Sequence, residues 1–139
     1  MSAAKRPIRK RPVEFLDLDD ALTIATRLFG ANLAIRDIGL LGSALARPQT
    51  TIGGRDAYGS IWEKAAALLI STVNNHALVD GNKRLGWACT AVFCEINNRS
   101  LAKASNDDVF TLVMRVASTN PDLHDIADAL EALHRRRIS

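Results

Sequence analysis

Residues 76–84 read His76-Ala77-Leu78-Val79-Asp80-Gly81-Asn82-Lys83-Arg84. This nonapeptide places a base, a carboxylate, a Gly-Asn turn and two cations within nine residues. Imidazole titrates close to neutral pH, so His76 is a candidate general base. Asp80 offers hard oxygen, suited to a Mg²⁺ that also takes phosphate oxygens and water. Gly81 permits a tight turn and close backbone approach. Asn82 is then predicted to open a helix, whose first N–H groups are free to face an anion. Lys83 and Arg84 fall in that first turn, where cations oppose the helix dipole. Two together suggest an anion that offsets the cost. Each part has a bland reading: a helix-end His is commonly a cap, Asp-Gly a turn, Lys-Arg a solvated pair. The combination carries the inference.

Helical signals run outward from this loop on both sides. Asp17 can cap a first helix with the apolar stripe Leu18, Ala21, Leu22, Ala25, Leu28 and Phe29, ended by Gly30. Asp37 can cap a second that stops near Ala46, before Pro48. Ser60 and Glu63 have the spacing of a capping box for a third, with Trp62, Ala65, Ala66, Leu69 and Val73 inward and His76 at its end. The fourth is predicted over Asn82 to Ile96, with Leu85, Ala88, Cys89, Val92, Phe93 and Ile96 at helical spacing. Ser105 with Asp108 starts a fifth, and Asn120-Pro121 a sixth. Residues 49–54 and 100–104 are the stretches that read as extended. The expected fold is all-α: a single domain of about six helices with a short flap near Gln49 to Gly54.

Length and charge bound the remaining possibilities. A chain of 139 residues with 47% apolar residues is most simply one globular domain with a real core. No apolar run is long enough to span a bilayer, and no hydrophobic stretch follows the basic N-terminus as a signal peptide requires. A cytoplasmic protein with no membrane partner is the expectation. Cys89 and Cys94 stand at i, i+5 on one predicted helix, on different faces, and read as reduced thiols of the core or the surface. The net charge of +3 hides an asymmetry. Lys5, Arg6, Arg9, Lys10 and Arg11 make a basic arm over residues 1–14, and Arg135, Arg136 and Arg137 a second basic cluster. The helical domain, residues 15–139, holds 14 of the 15 acidic residues, and Glu14 lies just before it. Apart from its C-terminal arginines it is acidic, so no specific nucleic-acid surface is predicted. The arm itself reads as a solvated tail.

The loop resembles the signature of the Fic/Doc superfamily, His-x-Phe-x-Asp/Glu-Gly-Asn-Gly-Arg-x-x-Arg. Three positions differ. Lys83 stands where Fic members have the second Gly, Trp87 where they have the final Arg, and Leu78 where the family has Phe. Lys at that place is the Doc (death-on-curing) pattern. Arg36-Asp37-Ile38-Gly39-Leu40-Leu41 through Pro48-Gln49 and Glu63-Lys64-Ala65-Ala66 extend the resemblance, which runs from about Phe15 to Arg135.

The resemblance implies a nucleotide-dependent transferase acting on a protein hydroxyl. Fic members transfer AMP from ATP. Doc members bind ATP reversed and transfer its γ-phosphate to a Ser/Thr hydroxyl of elongation factor Tu, which stops translation. They pair with Phd-type antitoxins whose C-terminal segment folds onto the toxin. On this reading His76 is catalytic, Asp80 holds Mg²⁺, and Gly81, Asn82, Lys83 and Arg84 hold the ATP phosphates. The flap would pair with target backbone. No Ser or Thr precedes a Glu-Gly or Glu-Asn at the spacing of a self-inhibiting Fic helix, so inhibition is expected from a separate antitoxin. An AMP transferase and a non-catalytic binding module of the same fold are the alternatives.

Overall fold

The computed structural model describes residues 12–118 and 120–136. Six α-helices make the domain: α1 Leu18–Phe29, α2 Ile38–Ala46, α3 Ile61–Asn74, α4 Asn82–Ile96, α5 Asn106–Ser118 and α6 Leu123–Arg135. Between α2 and α3 a small antiparallel hairpin pairs β1 Thr51–Ile52 with β2 Arg55–Asp56. The all-α reading therefore holds. No helix among the described residues is long and apolar enough to cross a membrane.

The caps follow the sequence closely. Asp17 with Asp20, and Ser60 with Glu63, form reciprocal capping boxes on α1 and α3. Asp37 accepts the Leu40 amide and starts α2, while Ser105 Oγ accepts the Asp108 amide at the head of α5. The last helix starts later than Asn120-Pro121 predicts. Asp122 caps it through the His124 amide at 2.8 Å, so Leu123 is its first residue.

Helix α3 is the axis of the domain. It packs on α2, α4, α5 and α6, and buries residues all round, from Trp62 to Val73. A helix apolar on every side belongs inside. Its small residues Ala65, Ala66 and Ala67 let neighbours approach. Helix α4 comes close to α3 at Gly86, where an added Cβ would lie 2.6 Å from Val73 Cγ2. Leu68, Leu69, Leu85, Cys89 and Phe93 fill the seam.

Two stretches differ from the sequence expectation. The flap runs past Gly54 to Asp56, because Gly53 and Gly54 are its turn and not its end. Both have positive φ (+60° and +80°), the conformation two-residue hairpins require. Residues 100–104 are a turn and not a strand: the Ala104 amide donates to the Leu101 carbonyl, and Leu101 is buried in the core. The expected basic arm lies, for residues 1–11, outside the described residues. At its end Glu14 exchanges two backbone hydrogen bonds with the Asn97 amide, and Phe15 stacks on Phe93 with ring centroids 6.0 Å apart. The chain is thus already packed at Glu14.

Both cysteines are free and fully buried, and burial pushes each thiol up to about 12. Being neutral below that value, they form almost no thiolate in the folded protein at pH 8. Alkylation at pH 8 should therefore be slow in buffer and fast in denaturant. The folded pKa lies above the unfolded one, so thiol ionisation leaves stability unchanged below about pH 9 and lowers it as pH rises towards 12. Gly86→Ala should lower the unfolding free energy by roughly 1–3 kcal/mol, read from urea titration, because Val73 must give way.

Candidate active site

The signature loop begins where α3 ends. Asn75 caps α3 in the helical region, and the next residue, His76, turns to φ +55°. His76 is therefore one residue beyond the cap and not at the helix end that the sequence pattern suggested. A left-handed conformation costs a non-glycine residue roughly 1–3 kcal/mol unless its surroundings hold it. The turn frees His76 from the helix and leaves it exposed. Among the described residues, no hydrogen bond is made by its imidazole.

The chain that follows is pinned by backbone from the α1–α2 connection. The Arg36 and Asp37 amides both donate to the Ala77 carbonyl, at 2.8 and 3.0 Å. Val79 N donates to Ala34 O at 3.0 Å, and Ile35 bridges Leu78 antiparallel. Leu78 sits in the core at 1% exposure, so the Leu in place of the family's Phe keeps its anchor. Arg36 adds its side chain: Nε (2.9 Å) and Nη2 both donate to the His76 carbonyl.

Gly81 is required twice. Its φ is +94°, and an added Cβ would meet Phe29 Cζ at 2.5 Å. The same ring carries Arg84, whose guanidinium carbon lies 5.0 Å from its centroid. Phe29, the last residue of α1, thus forms a floor under both ends of the turn. Asn82 spends its side chain locally: Oδ1 accepts the Leu78 amide and Nδ2 donates to the Leu78 carbonyl, both at 3.0 Å. Its side chain braces the loop, leaving its backbone N–H for a ligand. Helix α4 has no side-chain cap, so the amides at its head are open to an anion.

His76, Asp80, Gly81, Asn82, Lys83 and Arg84 line one cleft of about 470 Å³, closed by Val73, Asn74, Val79 and Ala117. Asn74 holds that wall by donating to the Val116 carbonyl of α5 at 3.1 Å. Among the described residues, Asp80, Lys83 and Arg84 form no ion pair with protein groups. Asp80 Oδ1 accepts the Gly81 amide, which leaves Oδ2 to a ligand. No cluster of three His, Cys, Asp or Glu residues surrounds it among the described residues. A single exposed carboxylate suits Mg²⁺ held jointly with substrate phosphates, and does not suit an all-protein metal cage.

Lys83 and Arg84 also border a second, apolar groove of about 430 Å³, walled by Leu28, Trp87, Val109, Phe110, Val113 and Met114. Trp87 faces this groove and not the cleft of His76 and Asp80. The position that carries the last Arg of the Fic pattern is here part of an apolar surface.

The hairpin is fixed at its base from two sides. Lys64 Nζ, nearly buried, donates to Asp56 Oδ2 at 3.1 Å and to the Tyr58 carbonyl. Arg47 donates to Tyr58 Oη at 2.9 Å and Ser71 Oγ at 3.0 Å. Its tip stays open, with Ile52 72% exposed. In the sequence, Arg36, Arg47 and Lys64 stand out only as members of the family-like segments. Nothing beside Arg36 in the sequence reports that its side chain reaches the His76 carbonyl, because that contact exists only after folding.

A profile of the Fic/DOC family matches residues 15–94, more than half of the chain. A curated relative, Toxin Doc of Mycolicibacterium smegmatis, is 49% identical over 118 residues, which are 84% of this chain and 91% of that protein. No solved structure matches. With a base, a carboxylate and an uncapped helix N-terminus meeting in one cleft, and with that profile and that relative aligned across them, this chain belongs to the Fic/DOC family.

Proposed function

We propose that this protein is the toxin of a bacterial toxin–antitoxin pair, acting in the cytoplasm as an ATP-dependent protein Ser/Thr kinase on elongation factor Tu. The observation that carries the kinase reading is Lys83 in the first turn of α4, in the same cleft as His76. Gly at that place leaves open space above the helix N-terminus. Lys83 puts a flexible stem and a point charge there. That favours a nucleotide placed with its γ-phosphate, and not its α-phosphate, beside His76. Trp87, turned to the apolar groove, removes the second arginine that would hold phosphates in the Fic pose.

The reaction is a direct displacement. His76 takes the proton from the target Ser or Thr hydroxyl. The hydroxyl oxygen attacks the γ-phosphorus, a new P–O bond forms, and the bond to the β–γ bridging oxygen breaks as ADP leaves. The α4 amides, Lys83 and Arg84 neutralise the charge that develops on the transferring group. Asp80 would hold a Mg²⁺, which supplies further charge neutralisation on the phosphates when bound. The open edge of the β1–β2 hairpin would take target backbone by strand addition, with Lys64 and Arg47 keeping its base fixed.

The apolar groove gives the antitoxin a place to dock. An amphipathic segment could lay its apolar face on Trp87, Phe110 and Met114 and offer carboxylates to Lys83 and Arg84. Phe110 is 66% and Met114 38% exposed on the same groove, a contiguous apolar patch of the kind that marks a docking surface. A carboxylate on Lys83 would compete with ATP phosphate, which explains inhibition without a self-inhibiting helix.

Incubation with elongation factor Tu and ATP labelled in the γ or the α position tests the reaction. Label from γ-labelled ATP alone is expected, with a phosphate-sized mass added to the target. Label from the α position would replace the kinase by an AMP transferase, and no label from either would remove elongation factor Tu as the target. His76→Ala should lower kcat about 10²- to 10⁴-fold, the usual worth of a general base. A second assay concerns the groove. Phe110→Asp should weaken neutralisation by the antitoxin about tenfold or more, an interface hot-spot effect, while labelling of the target persists.

A further inference from the structure

Among the described residues, Arg36 is the side chain that hydrogen-bonds the His76 carbonyl. Its guanidinium donates through Nε and Nη2 to the oxygen of His76, while its own amide donates to the next carbonyl, that of Ala77. One residue therefore binds two successive carbonyls of the signature loop. The first belongs to the residue with φ +55°, the second to the residue after it. Rotation of His76 back to the ordinary helical or extended region would swing both oxygens away from these donors. A planar fork can place two N–H groups on one oxygen, which a lysine ammonium does with far less directional hold.

The position of Arg36 is fixed in turn. Asp37 starts α2 by accepting the Leu40 amide, Ile35 bridges Leu78, and Ala34 accepts the Val79 amide. The donor is thus mounted on backbone that is already paired with the loop it holds. Arg36 does not line the cleft of His76, Asp80 and Lys83. Any effect it has on the reaction must pass through the loop.

We propose that Arg36 is a positioning residue: by clamping the His76 carbonyl it fixes the left-handed turn that sets the imidazole at the mouth of the cleft. This rests on the reading of His76 as the general base. Small misplacement of a reacting group is costly, so Arg36→Ala should lower kcat by about ten- to a hundredfold. The KM for ATP should stay unchanged, because the α4 amides, Lys83 and Arg84 are untouched. Arg36→Lys should fall between the two.

The experiment joins steady-state kinetics on the full chain to NMR of ¹³C-labelled histidine side chains. In Arg36→Ala the His76 imidazole signals should shift or broaden, while those of His124 and His134 stay in place. A folded variant with unchanged kcat overturns the proposal. So does a raised KM for ATP with kcat intact, which would make Arg36 a nucleotide contact. Unperturbed His76 signals overturn it as well. Should Arg36→Ala fail to fold, the same readings on Arg36→Lys decide. If the unmodified protein transfers nothing to its target, the kinase reading fails by itself, and the NMR result alone decides whether Arg36 positions His76.

Discussion

The site depends on a short ladder between two connections that are far apart in sequence. Residues 34–37 lie antiparallel against residues 76–79, joined by the Arg36, Asp37 and Val79 amides. A loop of irregular backbone must satisfy its polar groups or remain in water. This one satisfies them with another loop and with the Asn82 side chain. The result is a rigid turn in which His76 stands in left-handed backbone and α4 begins without a side-chain cap. Preorganisation of this kind gives open N–H groups value as anion ligands, since little rearrangement is required when charge develops.

Close helix packing makes that ladder possible. Gly86 brings α4 against Val73 of α3, and Gly81 brings the turn against Phe29 of α1. A side chain at either place would collide with Val73 or with the Phe29 ring that supports the turn and Arg84. The three alanines of α3 and the buried Leu68, Leu69 and Leu85 keep the same seam narrow. Packing at this density transmits displacement, so the cleft of His76 and Asp80 takes part of its geometry from Gly86, which lies outside it.

Two neighbouring surfaces share two cations. Lys83 and Arg84 face the polar cleft with His76 and Asp80, and also the apolar groove of Trp87, Phe110 and Met114. A shared boundary lets an occupant of one surface act on the other. The hairpin stands apart, its base fixed by Lys64 and Arg47 and its tip open.

The sequence by itself determined the six helices, most of their caps and the grouping of the signature residues. Those features are written locally: apolar spacing, Asp and Ser caps, and residues adjacent along nine positions. It placed the flap but missed its far strand, since Gly53-Gly54 read as an end instead of a turn. It took residues 100–104 for extended chain, where Leu101 is drawn into the core. Tertiary structure alone decided that His76 leaves its helix, that Asn82 braces the loop with its side chain, that Trp87 faces away from the cleft, and that Arg36 grips the His76 carbonyl. The Arg36 contact joins residues 40 apart in the chain, and the groove that Trp87 faces joins α4 to α5, so both exist only once the helices have packed around the buried α3.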